Sequence, residues 1–352
     1  DLNRAYIVHI NNQYVRDGEL EVDKLLSIED FTDIVKDKQA LISSSINDME
    51  EMLREDIPEI DIGIQCSDPY DCDYRGYCWK DIPDPSIFNL YSMHKAQKFE
   101  LYDQGIIRYD DIPDDFSLDA VQRLQVDTSK TKTPYIDKEI ISDFLNTIEY
   151  PINFFDFETF QNAIPRFDEQ RPYMQIPFQY SLHIFYEDGT LEHKEFLGDE
   201  NSDPREALIE QMLQDITPTG SIVAYNQGFE KGRIKELAMF NEMRHDDLLA
   251  LNERFVDLID PFRGRGYYHP DFNGSFSIKF VLPAMFPNDD ELDYRKLNIQ
   301  NGGMAMDTFA NLHLIKDQSK INEIKKDLLD YCHLDTLAMV RIWEKLHQII
   351  KE

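Results

Sequence analysis

The chain has 352 residues, which exceeds a typical single domain, and 42% of them are hydrophobic, enough for a sizeable core. This composition excludes a disordered chain, and no apolar run approaches the roughly 20 residues of a membrane-spanning helix. With 68 acidic and 36 basic residues the net charge is −32 at pH 7, so no overall basic field attracts nucleic acid and a polyanion would have to be held locally.

The first 60 residues are predicted to form one strand and one long helix. The run from Ala5 to Ile10 is strand-like, and Asn11-Asn12 marks a turn. An amphipathic pattern from Ser27 to Leu53 predicts the helix.

Residues 61–145 are punctuated by Pro, Cys and acidic pairs and contain short helical stretches such as Phe88 to Tyr102. Val126 to Pro134 lacks apolar periodicity and is predicted to be a linker. The predicted organisation is therefore three regions, at 1–60, 61–145 and 146–352.

The third region has an informative order of elements. We predict a buried, aromatic-rich strand at Ile152 to Glu158, two strands joined by a hairpin turn at Glu187-Asp188-Gly189-Thr190, a helix, a short strand ending near Tyr225, and a second helix. A long amphipathic helix, Ile321 to Ile350, closes the chain. This order predicts an α/β domain whose mixed sheet is flanked by helices, as in RNase H-like folds, after a smaller and mainly helical cysteine-containing region.

Three acidic motifs occur on these elements. Asp156 and Glu158 lie two apart on the first strand, so their side chains share one face. Glu230 lies in the first turn of a helix, after Asn226, and Tyr331 and Asp335 share a face of the last helix at spacing i, i+4. Separately, each motif is also typical of ordinary surface or packing positions.

Together, and in this order, the motifs resemble the DEDDy subgroup of the DEDD superfamily of 3′ to 5′ exonucleases. The resemblance covers residues 148–352. A related subgroup has a histidine five residues before the last aspartate, where this chain has Asp330. Glu230 stands where the superfamily usually has aspartate, which makes this a variant motif.

The resemblance implies a two-metal nuclease acting on 3′ ends of single-stranded nucleic acid. Carboxylate oxygens suit Mg²⁺ or Mn²⁺, and the implied ligands of two ions are Asp156, Glu158, Glu230 and Asp335, with Asp156 as the bridging ligand. Tyr331 is expected to orient the attacking water. Asn226 is expected to hold the turn or contact the nucleotide. Nothing in the sequence decides between DNA and RNA.

A loop after residue 256 is a second candidate for substrate binding. Arg263 and Arg265 lie among glycines and next to Tyr267 and Tyr268, a composition suited to phosphate contact and base stacking. Lys279 follows at the start of a predicted helix. The alternative is an irregular loop that packs its own tyrosines.

Three of the four cysteines, Cys66, Cys72 and Cys78, lie close together on a turn-rich segment. This usage favours a reducing, cytoplasmic compartment and a [4Fe-4S] cluster or Zn²⁺. The fourth ligand is expected to be missing, because Cys332 belongs to the acidic motif. The alternative is three unrelated core cysteines.

The segment from Ile7 to Arg16 followed by the three cysteines resembles the C-terminal end of an iron–sulfur RecB-like nuclease region. The whole sequence resembles an uncharacterised bacterial family that joins such a region to an RNase H-like domain. Since the chain begins Asp1-Leu2-Asn3, we expect a piece of a longer protein. A different class of function is also open, a nucleic-acid-binding or assembly module that keeps the fold but catalyses weakly.

Overall fold

The computed structural model describes residues 3–352, which divide into two compact units. The first unit runs to Phe88 and also contains Met93–Asp111 and Ala163–Tyr173. The remaining residues, which include most of the chain after Ile112, form the second unit. Residues 112–145 therefore belong with the sheet domain, although the sequence grouped them with the cysteine segment.

The first unit is mainly helical. Its elements are β1 (Tyr6–Ile10), α1 (Val22–Leu25), β2 (Leu26–Asp30), α2 (Thr32–Met52), α3 (Arg75–Cys78) and α4 (Lys95–Asp103). The predicted strand at Ala5 to Ile10 is confirmed as β1. The predicted stretch from Phe88 to Tyr102 becomes α-helical only at Lys95, after a left-handed residue, Ser92, with φ of 53°.

The prediction of one helix from Ser27 to Leu53 is wrong for its first residues. Leu26–Asp30 is a strand that pairs antiparallel with β1, with Val8 opposite Ile28, and α2 begins at Thr32. Leu26 and Ile28 alternate with polar residues, and a run this short fits a strand and a helix equally well. Pairing with β1 decides between them.

The second unit contains the sheet. Its elements are α5 (Ala120–Thr131), β3 (Tyr135–Ile136), α6 (Lys138–Leu145), β4 (Ile152–Phe160), β5 (Ile176–Phe185), β6 (Leu191–Leu197), α7 (Arg205–Asp215), β7 (Ile222–Ala224), α8 (Gly228–Phe240), α9 (His245–Asn252), β8 (Phe255–Asp257), α10 (Asp260–Arg263), β9 (Tyr267–Tyr268), α11 (Ile278–Met285), α12 (Gly302–Leu312) and α13 (Gln318–Lys351).

The predicted linker at Val126 to Pro134 is wrong, because α5 continues to Thr131. Its buried face is polar: Gln122 and Gln125 donate side-chain hydrogen bonds to the carbonyls of Tyr91 and Asn89. Because this face is buried through amide side chains, hydrophobic residues do not recur along it at helical spacing. The sequence signal was instead the capping box formed by Asp119 and Gln122.

The main sheet has five strands in the order β6-β5-β4-β7-β8. β4 runs antiparallel to β5 and parallel to β7, and β7 runs parallel to β8. The predicted α/β class, a mixed sheet flanked by helices and preceded by a helical cysteine-containing region, is confirmed.

Alternation along β4 separates the two faces of the sheet. Phe155 and Phe157 lie in a core with residues of α7, α8 and α9, whereas Phe154 lies in a second core with residues of α6, α11 and α13. Asp156 and Glu158 therefore share the face of Phe154, towards the last helix. Within residues 3–352, no helix is both long and apolar enough to cross a membrane.

Candidate functional site

Three of the predicted acids meet between β4 and α13. Asp156, Glu158 and Asp335 each place a carboxylate oxygen within 4.8 Å of the others. Strand alternation supplies the first two, and α13, which starts with Asp317 as its N-cap, supplies the third. They line a cavity of about 320 Å³. This separation suits oxygen ligands of a divalent cation.

The three acids lie close together and are buried, so either protonation or a bound metal cation would stabilise them. Burial and repulsion from neighbouring acids raise the pKa of Asp156 and of Glu158 well above the usual range. Burial raises the pKa of Asp335 to about 6, against the opposing effects of Tyr294, Tyr331 and Lys279. Bound cations would remove this repulsion without protonation.

Two tyrosines act on Asp335. Tyr331 lies one helical turn before it, as the i, i+4 spacing predicted, lines the same cavity and helps to lower its pKa. Tyr294 donates a hydrogen bond of 2.6 Å to Oδ1 of Asp335. Tyr294 was not predicted from the sequence, because it lies in a single 3-10 turn with no periodicity and 41 positions from its partner.

Glu230 lies beside the three acids but outside their 4.8 Å group. It is 3% exposed, and its Oε2 has no hydrogen-bond partner within the described residues. Its charge contributes to the raised pKa of Asp156, so it lies close enough to act on the cluster. Burial and the nearby Asp257 raise the pKa of Glu230 to about 8.

The turn before α8 positions Glu230. Asn226 is left-handed there, with φ of 70°, and its backbone N–H donates to Oδ1 of Asp257 at 2.7 Å. The N–H of Gln227 donates to Oδ2 of the same carboxylate at 3.1 Å. Asp257 ends β8, next to β7, so it fastens the strand-to-helix turn. No spacing in the sequence indicates this role of Asp257.

Lys279 lies at the same cavity, at the start of α11. Its positive charge lowers the pKa of both Glu158 and Asp335. Apolar side chains line other parts of the cavity, among them Phe229, Met306 and Met339. The cavity thus combines carboxylates, the positively charged side chain of Lys279 and an apolar wall.

The two predicted arginines are placed elsewhere. Arg263 and Arg265 are exposed, and neither lines the carboxylate cavity. Tyr267 and Tyr268 are buried in the β9 strand, which pairs with β3, so base stacking by these two rings is ruled out. The two tyrosines are packed, as the alternative expected, but the segment forms a short helix and a strand and is not an irregular loop.

The three clustered cysteines are free thiols in the first unit. Cys66 is buried, whereas Cys72 and Cys78 are exposed. The backbone N–H of Cys72 donates to the carbonyl of Cys66 at 2.9 Å, so these two positions are neighbours. In the part of the chain that the structure describes, the three sulfur atoms do not form a three-donor group within 4.8 Å. A metal at this segment stays a prediction.

A second three-donor group consists of histidines. His183 on β5, His193 on β6 and His333 on α13 bring ring nitrogens within 4.8 Å of one another. Burial and the other rings lower the pKa of His183 to about 3, and burial and His333 lower that of His193 to about 4. None of the three histidines is among the site residues predicted from the sequence. The predicted hairpin could have indicated that His183 and His193 lie side by side, because residues equidistant from a turn are paired across its two strands.

The comparisons with known proteins give relatives without a known function. Residues 153–277 match the model of a domain of unknown function, DUF2779. An uncharacterized protein of Mycoplasma pneumoniae is 30% identical over 207 residues, which cover 54% of this chain and 31% of the relative. An uncharacterized protein of Mycoplasma genitalium is 28% identical over 217 residues, covering 56% and 32%.

An uncharacterized protein of Ureaplasma parvum is 28% identical over 222 residues, which cover 56% of this chain and 31% of the relative. The chain thus spans about a third of the length of the curated relatives it matches. No solved structure matches it. The DUF2779 match includes Asp156, Glu158 and Glu230, but not α13.

Proposed function

We propose that this protein is a metal-dependent nuclease that hydrolyses phosphodiester bonds of single-stranded nucleic acid from the 3′ end. The observation that carries the proposal is the meeting of Asp156, Glu158 and Asp335 within 4.8 Å, in a cavity that Tyr331 also lines. These residues come from two motifs far apart in the sequence. The direction of cleavage rests on the DEDDy resemblance.

The donor set fits hard divalent cations. Oxygen donors suit Mg²⁺ or Mn²⁺, the three carboxylates repel one another as they stand, and the buried Oε2 of Glu230 has no partner within the described residues. Asp156, Glu158 and Asp335 would hold the cations, with Glu230 reaching them directly or through water. When bound, two such ions stabilise the charge of the attacking and leaving oxygens in phosphodiester hydrolysis.

The remaining side chains have distinct proposed tasks. Tyr331 positions the attacking water, and because burial and the acids raise its pKa, its hydroxyl stays protonated as a donor. Tyr294 fixes the rotamer of Asp335. Lys279 supplies the positive charge that a phosphate needs in a chain of net charge −32. Phe229 and the nearby methionines offer an apolar wall to the terminal nucleoside.

The decisive experiment follows hydrolysis of a 5′-labelled and a 3′-labelled single strand, as DNA and as RNA, with Mn²⁺ or with a chelator. We expect Mn²⁺-dependent shortening from the 3′ end, and loss of activity in Asp156→Ala. The matched control is Glu323→Ala, which removes an exposed acid from the same helix as Asp335. Activity that survives both the chelator and Asp156→Ala would refute the proposal.

The second candidate is a nucleic-acid-binding or assembly module with weak catalysis. Glu230 favours it, because the acid is longer than the usual aspartate and its pKa of about 8 leaves it largely protonated near neutrality in the absence of cations. This candidate predicts Mn²⁺-dependent binding of a single strand without hydrolysis.

We further propose a cytoplasmic location, which the free thiols of the first unit support.

A further inference from the structure

The three histidines described above form a compact group on the α13 side of the sheet. His183 and His193 are directly paired across β5 and β6, so both side chains point to the same face. His333 approaches them from α13. His183 is 2% exposed, whereas His193 and His333 are half-buried. Two strands and a helix thus converge on one point through imidazoles.

Neighbouring hydroxyl groups fix the rings. Thr336 Oγ1 lies 2.8 Å from Nδ1 of His183, and Ser181 Oγ lies 2.9 Å from Nε2 of His193. The two hydroxyls are themselves 2.6 Å apart. Metal-binding histidines are typically oriented by a partner on the ring nitrogen that does not bind the ion, as Thr336 is for Nδ1 of His183. Ser181 instead contacts Nε2 of His193, the nitrogen that faces His333, and its hydroxyl would give way to an ion there. The rings are therefore held in place by groups that carry no charge.

The distance between two of the rings matches that of ligands sharing one ion. Nδ1 of His333 lies 3.3 Å from Nε2 of His193. Two nitrogens each about 2.0–2.1 Å from a tetrahedral ion are separated by about 3.3–3.4 Å. Neutral imidazoles are the form that binds metals, and the low pKa values of His183 and His193 keep these rings neutral.

One side of the group opens to solvent. His193 and His333 line a cavity of about 510 Å³ together with Glu195. Glu195 lies two residues after His193 on β6 and therefore faces the same side. A fourth ligand, either this carboxylate or water, can reach an ion from that side.

We propose that His183, His193 and His333 bind one zinc-class divalent metal ion, with the fourth position open to Glu195 or water. This site is chemically different from the carboxylate group, because imidazole selects late transition metals whereas carboxylate oxygens suit Mg²⁺ or Mn²⁺. It does not depend on the proposed nuclease activity. Its ion would fasten α13 to β5 and β6 beside Asp335.

The test is metal binding to the full chain with Cys66, Cys72 and Cys78 changed to Ser, which removes the competing thiols. Zn²⁺ is titrated by calorimetry in excess Mg²⁺, and Co²⁺ is followed by its visible absorption. We expect one equivalent of Zn²⁺ and the absorption of a nitrogen-ligated Co²⁺ ion. His193→Gln and His333→Gln should each weaken Zn²⁺ binding by about 100-fold or more.

Two controls locate the ion. His94→Gln changes an exposed histidine in the first unit and should leave Zn²⁺ binding unchanged. Asp156→Ala disables the carboxylate group and should also leave it unchanged. Both informative histidines are half-buried, and circular dichroism identifies variants that remain folded. Absence of Zn²⁺ binding, binding that survives in folded His193→Gln and His333→Gln, or binding lost in Asp156→Ala would each overturn the proposal.

Discussion

The hydroxyl of Tyr294 donates a 2.6 Å hydrogen bond to Asp335, the acid that α13 contributes to the carboxylate group. Tyr331 lies one turn before Asp335 on the same helix and lines the same cavity. Asp335 is therefore held by a residue outside its own helix, in the segment before α12. Both tyrosines lower its pKa and favour the ionised form that a cation needs.

We expect Tyr294→Phe to reduce the rate of hydrolysis by about tenfold, because one hydrogen bond to a charged group contributes on the order of 1.5 kcal/mol. Tyr331→Phe should reduce it further, by about 10²- to 10⁴-fold, since this hydroxyl also positions the water. Single-turnover rates at saturating Mn²⁺ measure both. Thermal unfolding is the control for folding. Equal losses in the two variants would contradict the separate roles.

The second prediction concerns pH and Mn²⁺. In the absence of cations, the pKa of Glu230 is about 8 and that of Asp335 about 6, both above their ordinary values. The folded state thus holds protons that the unfolded state releases between about pH 4 and 8. The free energy of unfolding should therefore fall as pH rises through this interval.

Mn²⁺ competes with those protons, so its binding should strengthen over the same interval. We expect Mn²⁺ to raise the melting temperature more at pH 8 than at pH 5.5. The double variant Glu230→Gln with Asp335→Asn removes two of the four acids whose pKa values are raised and should reduce this difference. A shift that is equal at both pH values in the unmodified protein would be the contrary result.

The third prediction uses the length of Glu230. Glu230→Asp restores the side chain usual in the resembling superfamily, and we expect hydrolysis to be retained or increased. Glu230→Gln keeps the length but removes the charge, so it should reduce the rate at neutral pH. The rates of hydrolysis of Glu230→Asp and Glu230→Gln are measured in Mn²⁺ and compared with that of the unmodified protein. Complete loss in Glu230→Asp would mean that the buried pocket around Oε2 requires the longer acid.

The strands and motifs around the acids could be predicted because their signals are local. Phe155 and Phe157 alternate with Asp156 and Glu158, and this alternation assigns the two faces of β4 before any tertiary contact is known. Tyr331 and Asp335 are likewise one helical turn apart. A strand or helix whose residue types recur at a regular spacing can thus be predicted from the sequence.

The rest of the site depends on partners distant in the sequence. Tyr294 reaches Asp335 from a loop, and Asp257 reaches the turn at Asn226 from the end of a neighbouring strand. In neither contact does a regular spacing in the sequence connect the two residues. Helix α5 was mistaken for a linker for a related reason, because its buried face is made of amides that bond to a distant backbone. These features become visible only when the chain is folded.

The fourth prediction concerns the three cysteines of the first unit. If they bind a cluster only with a ligand absent from this chain, the isolated chain should hold substoichiometric iron or zinc, measured by elemental analysis. Changing Cys66, Cys72 and Cys78 to Ser should then leave the rate of hydrolysis largely unchanged, since the carboxylates lie in the second unit. Loss of that rate in a folded triple variant would show that the two units are functionally coupled.

The last prediction concerns Asp257. Its carboxylate accepts backbone hydrogen bonds from Asn226, Gln227 and Ile259, and its charge helps to raise the pKa of Glu230. Asp257→Asn replaces one of the two acceptor oxygens by an amide group that donates, so at least one of these N–H groups loses its partner, and we expect the free energy of unfolding to fall by about 1–3 kcal/mol.

The same substitution has an opposite electrostatic effect on its neighbour. Removing the negative charge of Asp257 should lower the pKa of Glu230, so the pH needed for half-maximal Mn²⁺ binding should decrease. Denaturant unfolding and Mn²⁺ titrations at several pH values separate the two effects. Asp246→Asn, at an exposed acid in the first turn of α9, is the matched control and should change neither quantity by more than a small amount. A stable Asp257→Asn protein with an unshifted pH dependence would show that Asp257 neither fastens the turn nor influences Glu230.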